Sequence, residues 1–272
     1  MAAPLDITRL QGLMADRAGY ALSPERASVA EARLGPIARR EGLASAQALI
    51  DGLDPQARPS LAWEIIEALL PAESRFFRDR EPFLVMCSQL LPALAQARGG
   101  KVRILSAGCA TGQEAWSAAI CVAEAGAVQA EIVGVDLSSR AIEKARAGVY
   151  TQFEVQKGLR SRQLIDWFER DEDLWRVSER LKPAVRFERA NLLDGLEPFG
   201  RFDLIFCRQV LADMTPAGRR RAVAVLEAAL APNGCLFMAP ADAVPEAMAA
   251  FRPVAGLSSI YVRNPSPVSR AA

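Results

Sequence analysis

From Lys101 onward the chain alternates short apolar runs of strand length with helical segments, and this alternation restricts the fold more than any other feature. The runs cover residues 102–107, 131–135, 185–187, 202–207 and 235–238, and the helical segments cover 114–125, 139–147, 161–169 and 216–230. Continuous apolar strands are covered on both faces, and a helix between two of them is the crossover that parallel pairing needs. The expectation is an α/β domain: a mostly parallel sheet with helices on both sides. Residues 251–254 and 258–262 are placed as an antiparallel hairpin at the sheet edge.

The first 60 residues follow a different period. Leu5, Ile7, Leu10, Leu13 and Met14 recur at helical spacing. Ser23-Pro24-Glu25 reads as a helix start, with a capping hydroxyl, a proline in the first turn and an acid at the positive end of the helix dipole. Gly52, Asp54-Pro55 and Arg58-Pro59 close the stretch, and residues 61–70 form one more amphipathic helix. The expected organisation is an all-helical N-terminal domain and linker over 1–72, the α/β domain over 73–264 and a tail over 265–272.

Composition removes several function classes. The 33 basic residues almost cancel the 32 acidic ones, so no overall field draws the protein to nucleic acid or to an anionic membrane surface. No apolar run reaches the roughly 18 residues of a membrane helix. The five cysteines, Cys87, Cys109, Cys121, Cys207 and Cys235, form no CxxC pair, which argues against a structural zinc site and for a reducing, cytoplasmic location. Histidine is absent altogether. That removes the commonest general base and metal ligand, so the expected chemistry needs neither a neutral-pH proton shuttle nor a metal.

Residues 102–114 run strand, glycine turn, helix start, the arrangement that cradles a nucleoside. Gly108 and Gly112 admit close backbone approach. Asp136, at the end of the next strand, reads either as an acceptor for both ribose hydroxyls or as the N-cap of the following helix. A dinucleotide would set its pyrophosphate at the helix start, where Glu114 would repel it. S-adenosylmethionine carries no phosphate, and its ammonium and sulfonium suit a nearby carboxylate.

Several blocks in register carry a resemblance: Glu73-Ser-Arg-Phe-Phe-Arg-Asp79, Cys109-Ala-Thr-Gly-Gln-Glu114, Tyr150-Thr-Gln-Phe-Glu-Val-Gln-Lys-Gly-Leu159, Phe187-Glu-Arg-Ala-Asn-Leu-Leu193 and Gly200-Arg-Phe-Asp-Leu-Ile-Phe-Cys-Arg208. Together they resemble the CheR family of chemotaxis receptor methyltransferases, from about Leu61 to Val262. The resemblance implies a class I methyltransferase-type, Rossmann-like fold behind an N-terminal helical domain. It implies transfer of a methyl group from S-adenosylmethionine to glutamates on the cytoplasmic helices of a methyl-accepting chemoreceptor, with S-adenosylhomocysteine as product. Ser74 and Arg78 would meet the cofactor or the reacting carboxylate, with Arg78 the catalytic residue. Glu114 would sit by the methionine end, Asp136 on the ribose, Asn191 and Leu192 by the adenine, and Gln209 and Val210 in the wall.

The chain departs from the family pattern in four places: Ala72 where an Asn is usual, Gln209 for Asn, Asp213-Met214 for Tyr-Phe, and Pro240-Ala-Asp242 for the acidic segment after the fifth strand. On these rests the alternative of a non-catalytic or weakly active cofactor-binding signalling protein. Arg26, Arg33 and Arg40, at seven-residue spacing, share one helix face that reads as a receptor contact or a solvated surface. The stretch 169–174 lacks the glycines of members that hold a receptor tail peptide, so tail tethering is not expected.

Overall fold

A computed structural model describes residues 5–71, 73–99, 101–126 and 128–265. The chain divides into two compact units. One is Met1–Pro71 together with Asp213–Arg221, and the other holds the rest. Ala72 and residues 266–272 of the expected tail lie outside the described residues. No helix among those described is long and apolar enough to cross a membrane.

The helical unit contains α1 (Thr8–Ala18), α2 (Ala27–Arg40), α3 (Ala46–Asp51) and α4 (Pro59–Leu69). Its core is the apolar stripe of each helix: Leu10 and Met14, Ala30 and Leu34, Leu49 and Ile50, Ala62, Ile65 and Ile66, all buried. The Pro24 signal opens a single 3-10 turn (Pro24–Arg26) that leads into α2. Asp213–Arg221, far away in sequence, joins this unit through the hydrogen bonds Ala21 N–H to Asp213 O (2.9 Å) and Thr215 N–H to Gly19 O (2.7 Å). Asp213, one of the departures from the family pattern, pairs with Arg26 at 3.5 Å within the helical unit.

The arginine stripe is likewise committed inside the unit. Arg33 donates to the Ala68 and Leu70 carbonyls at the end of α4, both at 3.1 Å, and Arg40 pairs with Glu41 and Glu64. These pairs lie within the unit, and the Arg26 and Arg40 side chains stay 46% and 55% exposed.

In the larger unit the strands are β1 (Lys101–Ala107), β2 (Gln129–Asp136), β3 (Val149–Thr151), β4 (Phe168–Asp171), β5 (Leu174–Val177), β6 (Val185–Arg189), β7 (Phe202–Phe206), β8 (Leu230–Phe237), β9 (Phe251–Val254) and β10 (Leu257–Arg263). Seven form the main sheet in the order β6-β2-β1-β7-β8-β10-β9, parallel from β6 to β8 and antiparallel over the terminal hairpin. All five apolar runs are strands of this sheet, as their patterning requires. The crossover helices include α7 (Gln113–Ala125) and α8 (Ser139–Ala147), and α5 (Glu81–Val85) and α6 (Leu91–Ala97) precede β1. Aromatic rings fill the layer beside β7, where Phe206 stacks on Phe237 (4.3 Å) and on Phe83 (5.4 Å).

A second, three-stranded sheet, β3-β5-β4, holds residues the alternation pattern gave to a helix. The helix Ser161–Trp167 stops there, and Phe168 turns extended, with its ring edge-on to Phe76 at 5.4 Å and only 4% exposed. Burial of one aromatic ring there outweighs the local helical pattern.

The main sheet places its functional edge by topology. From β1 the chain moves outward to β2 and β6, then returns to the other side of β1 to form β7 and β8. The crossovers therefore part between the carboxyl ends of β1 and β7, which is where open α/β sheets bind ligands.

Candidate functional site

At the end of β1 the chain enters Gly108 with φ 74°, and both the Gly108 and Cys109 N–H groups donate to Val135 O at 2.8 and 3.0 Å. A Cβ on Gly108 would lie 2.4 Å from Val210 Cγ2, so Val210 sits directly on the turn and only glycine fits beneath it. Gly112, φ 92°, opens α7, and a Cβ there would meet Ala145 at 2.8 Å. Between them Ala110 also takes a left-handed conformation, φ 46°, held by its N–H bond to Asp136 Oδ2 at 2.8 Å.

Asp136 Oδ1 accepts from Ser138 N at 2.9 Å, and it is Ser138 that caps α8, accepting from Ala141 N at 3.2 Å. The N-cap reading of Asp136 is therefore excluded. The carboxylate fastens the glycine turn to the end of β2, at the edge where a nucleoside would lie. Next to it, past β6, Ala190 N–H bonds Asp136 O at 3.0 Å, and Asn191 Oδ1 accepts from Leu193 N at 3.0 Å to cap the short turn holding Leu192. Adjacent parallel strands thus bring Asp136, Asn191, Leu192, Val210 and the glycine turn to one edge.

Glu114 stands in the first turn of α7 with its side chain 14% exposed. Ser106 Oγ donates to its Oε1 at 2.8 Å, and Arg208 Nη1 lies 3.7 Å from its Oε2. Burial pushes the Glu114 carboxyl above its ordinary range; the Arg208 charge and the Ser106 hydroxyl oppose this, Asp242 adds to it, and Arg78 opposes it.

Arg208 is the residue that motif reading passed over, although it closes one of the recognised blocks. Its side chain is 2% exposed. Nη1 donates to Arg78 O at 2.9 Å, Nη2 pairs with the Asp79 carboxylate, and Nε has no partner among the described residues. The available signal is a cation that follows five buried strand residues and a buried Cys207, where only a partner from elsewhere in the fold can satisfy it.

Beyond Arg208 the chain turns through Gln209, φ 62° and exposed, and is fixed by Asp242, which is fully buried. Asp242 Oδ2 accepts from Gln209 N at 2.5 Å, and Oδ1 accepts from Val210 N at 3.1 Å and Ala212 N at 2.9 Å. The acid that survives in Pro240-Ala-Asp242 is thus the fastener of the Val210 loop.

Facing this loop is the segment with Ser74 and Arg78. Phe77, Asp79 and Arg80 all have left-handed φ values of 47°, 61° and 41°. Three such residues without glycine persist only where the surroundings impose them. Phe77 N–H bonds Ser117 Oγ at 2.9 Å, and Gly158 passes so close that a Cβ on it would lie 1.7 Å from Phe76 O. Phe76 and Phe77 are buried core. Ser74 and Arg78 are half-buried. Arg78 makes no side-chain hydrogen bond or ion pair with another described residue, Glu81 included.

The donor set fits S-adenosylmethionine: an acid by the helix start for an ammonium, a strand-end acid for ribose hydroxyls, and apolar Val210 and Leu192 beside them. The orphan Arg208 Nε adds a buried donor on the same edge.

Residues 72–259 match the family described as CheR methyltransferase, SAM binding domain. The chain is 30% identical to chemotaxis protein methyltransferase 1 of Pseudomonas aeruginosa, over 89% of this chain and 92% of that one. Chemotaxis protein methyltransferase Cher2 of Pseudomonas putida is 26% identical over 88% and 90% of the two chains. A chemotaxis protein methyltransferase of Vibrio parahaemolyticus is 29% identical over 83% and 84%.

Proposed function

Because the chain belongs to the CheR family of S-adenosylmethionine-dependent methyltransferases, we propose that it esterifies glutamate side chains on the cytoplasmic helices of a chemoreceptor. The observation that carries this reading is Arg78: a guanidinium with no hydrogen bond or ion pair among the described residues, on a segment anchored by Arg208, beside the edge where the cofactor fits.

Bound S-adenosylmethionine supplies an activated methyl group on a sulfonium, leaving S-adenosylhomocysteine after transfer. The accepting glutamate, with an ordinary pKa near 4.3, is already an anion at neutral pH, so no general base is required, consistent with a chain that has no histidine. What the protein must supply is alignment. Arg78 offers two parallel N–H donors to a carboxylate and so fixes the direction of its attacking oxygen. Glu114 pairs with the cofactor ammonium, Asp136 accepts from the ribose, Asn191 and Leu192 border the adenine, Ser74 lies on the methionine side, and Val210 and Gln209 form the wall. The reaction takes place in the cytoplasm. The β4–β5 hairpin turns through Glu172, φ 53°, without glycine, in keeping with receptor binding without a tail-peptide tether.

The test is incubation with methyl-labelled cofactor and receptor-bearing membranes. Base-labile label on receptor glutamates is the expected result. Cofactor binding with no such label would support a non-catalytic signalling protein instead.

A further inference from the structure

We propose that Arg208 is a positioning residue for methyl transfer: from the end of β7 it holds the 77–80 segment against Glu114, so that Arg78 presents its guanidinium in one orientation. This rests on the reading of Arg78 as the group that aligns the accepting carboxylate.

The base of Arg208 is fixed from both directions along the chain. Before it, Phe202–Phe206 are buried to the last residue and Cys207 is fully buried, paired through its N–H to Phe237 O at 2.9 Å. After it, Asp242 ties down Gln209, Val210 and Ala212. From this fixed point one planar group reaches three others: the main-chain oxygen of Arg78, the Asp79 carboxylate and Glu114.

The 77–80 segment needs such a hold. Its three left-handed non-glycine residues favour other conformations, and its internal hydrogen bonds, Arg80 N–H to Phe77 O at 3.0 Å and Glu81 N–H to Asp79 O, span only the turn itself. Without Arg208 the Arg78 carbonyl and the Asp79 carboxylate lose their common tie, and the direction of the Arg78 side chain loses its reference.

A stability role alone does not account for this guanidinium. It is buried, its Nε is unsatisfied among the described residues, and the Asp79 partner is 59% exposed, so the pair joins a desolvated cation to a largely solvated anion. An apolar residue would pack there at lower cost. Nor would lysine substitute, because holding a carbonyl and a carboxylate at once requires the two ends of the fork.

Arg208 also faces Glu114, together with Arg78, the Ser106 hydroxyl and Asp242, while the Cys109 and Cys207 thiols nearby are kept neutral by burial. Removing the Arg208 charge takes away the chief influence holding the Glu114 carboxyl down. The pH below which the cofactor ammonium loses its partner then moves upward.

The experiment compares Arg208→Lys, Arg208→Met, Asp79→Asn and Arg78→Lys for S-adenosylhomocysteine affinity against pH, for kcat and KM on receptor membranes, and for thermal stability. Arg208→Lys keeps the charge and loses the fork. Its kcat should fall on the order of 100-fold, the effect of a small misplacement, with affinity and its acid limb near wild type. Arg208→Met should in addition move the acid limb to higher pH. Asp79→Asn alters an exposed carboxylate, leaves the fold intact and should lower kcat by roughly tenfold; it decides the matter if the Arg208 variants do not fold. Combining Arg208→Lys with Arg78→Lys should cost far less than the product of the two single losses, because both act through one alignment. Wild-type kcat in Arg208→Lys or Asp79→Asn, while Arg78→Lys is impaired, overturns the positioning role alone. Wild-type kcat in Arg78→Lys overturns the reading on which it rests.

Discussion

Two regions of the site are built differently. Around the glycine turn the fixing contacts run between adjacent strand ends: Gly108 and Cys109 to Val135, Ala110 to Asp136, Ala190 to Asp136. On the side of Arg78 they are charged links across the fold: Arg208 to Asp79, 129 residues apart, and Asp242 to Gln209, 33 apart. The first region is held by sheet register and glycine shape, the second by buried charges. On the proposed function, cofactor binding falls to the first region and alignment of the accepting carboxylate to the second, so perturbing each should give separable defects.

The largest effect is expected where the second region has its root. Asp242→Ala leaves three backbone N–H groups without their acceptor, and hydrogen bonds to a charged group contribute about 1.5–3 kcal/mol each, not additively. Denaturant unfolding should show a loss of about 3 kcal/mol or more. A loss under about 1 kcal/mol would mean that the loop is held by something else. In the first region, Asp136→Ala should weaken S-adenosylhomocysteine binding by about 1.5–3 kcal/mol in calorimetry, and unchanged affinity in a folded variant would remove Asp136 from the site.

Legibility in sequence follows the same division. The parallel sheet, the glycine turn and the strand-end acid are legible because continuous apolar runs and turn glycines are local signals; of the two readings of Asp136, the fold removes the N-cap one, since Ser138 caps α8. Arg208 and Asp242 are legible only in part. The apolar run before Arg208 signals a buried cation, and Asp242 stands out as a surviving acid, but their partners appear only when β7, the 77–80 segment and the stretch after β8 converge. Phe168 was assigned to a helix because its burial against Phe76 is a tertiary fact. For Arg26, Arg33 and Arg40 the sequence shows the spacing but not the partners, which are Asp213, the end of α4, Glu41 and Glu64.

A smaller effect tests the junction of the two regions at Glu114. Its carboxyl is raised, chiefly by burial, so it takes up a proton at a higher pH than an ordinary glutamate. Above that pH it is anionic and, on the proposed function, attracts the cofactor ammonium; below it, that attraction is lost. Affinity for S-adenosylhomocysteine should therefore fall on acidification before ordinary glutamates titrate, and Glu114→Gln should bind more weakly at neutral pH with that acid limb removed. An unaltered limb in the variant would assign it to another group. The smallest effect belongs outside both regions. Arg40→Ala breaks exposed pairs with Glu41 and Glu64, and thermal unfolding and cofactor affinity should both stay within error of wild type.

The division of labour is tested most directly by Arg78→Lys, measured in parallel for S-adenosylhomocysteine affinity by calorimetry and for single-turnover methyl transfer to receptor glutamates. Lysine keeps the charge but not the planar fork. The account predicts affinity within about twofold of wild type and a transfer rate lower by at least about tenfold. A wild-type transfer rate, or an equal loss in both measurements, would contradict it.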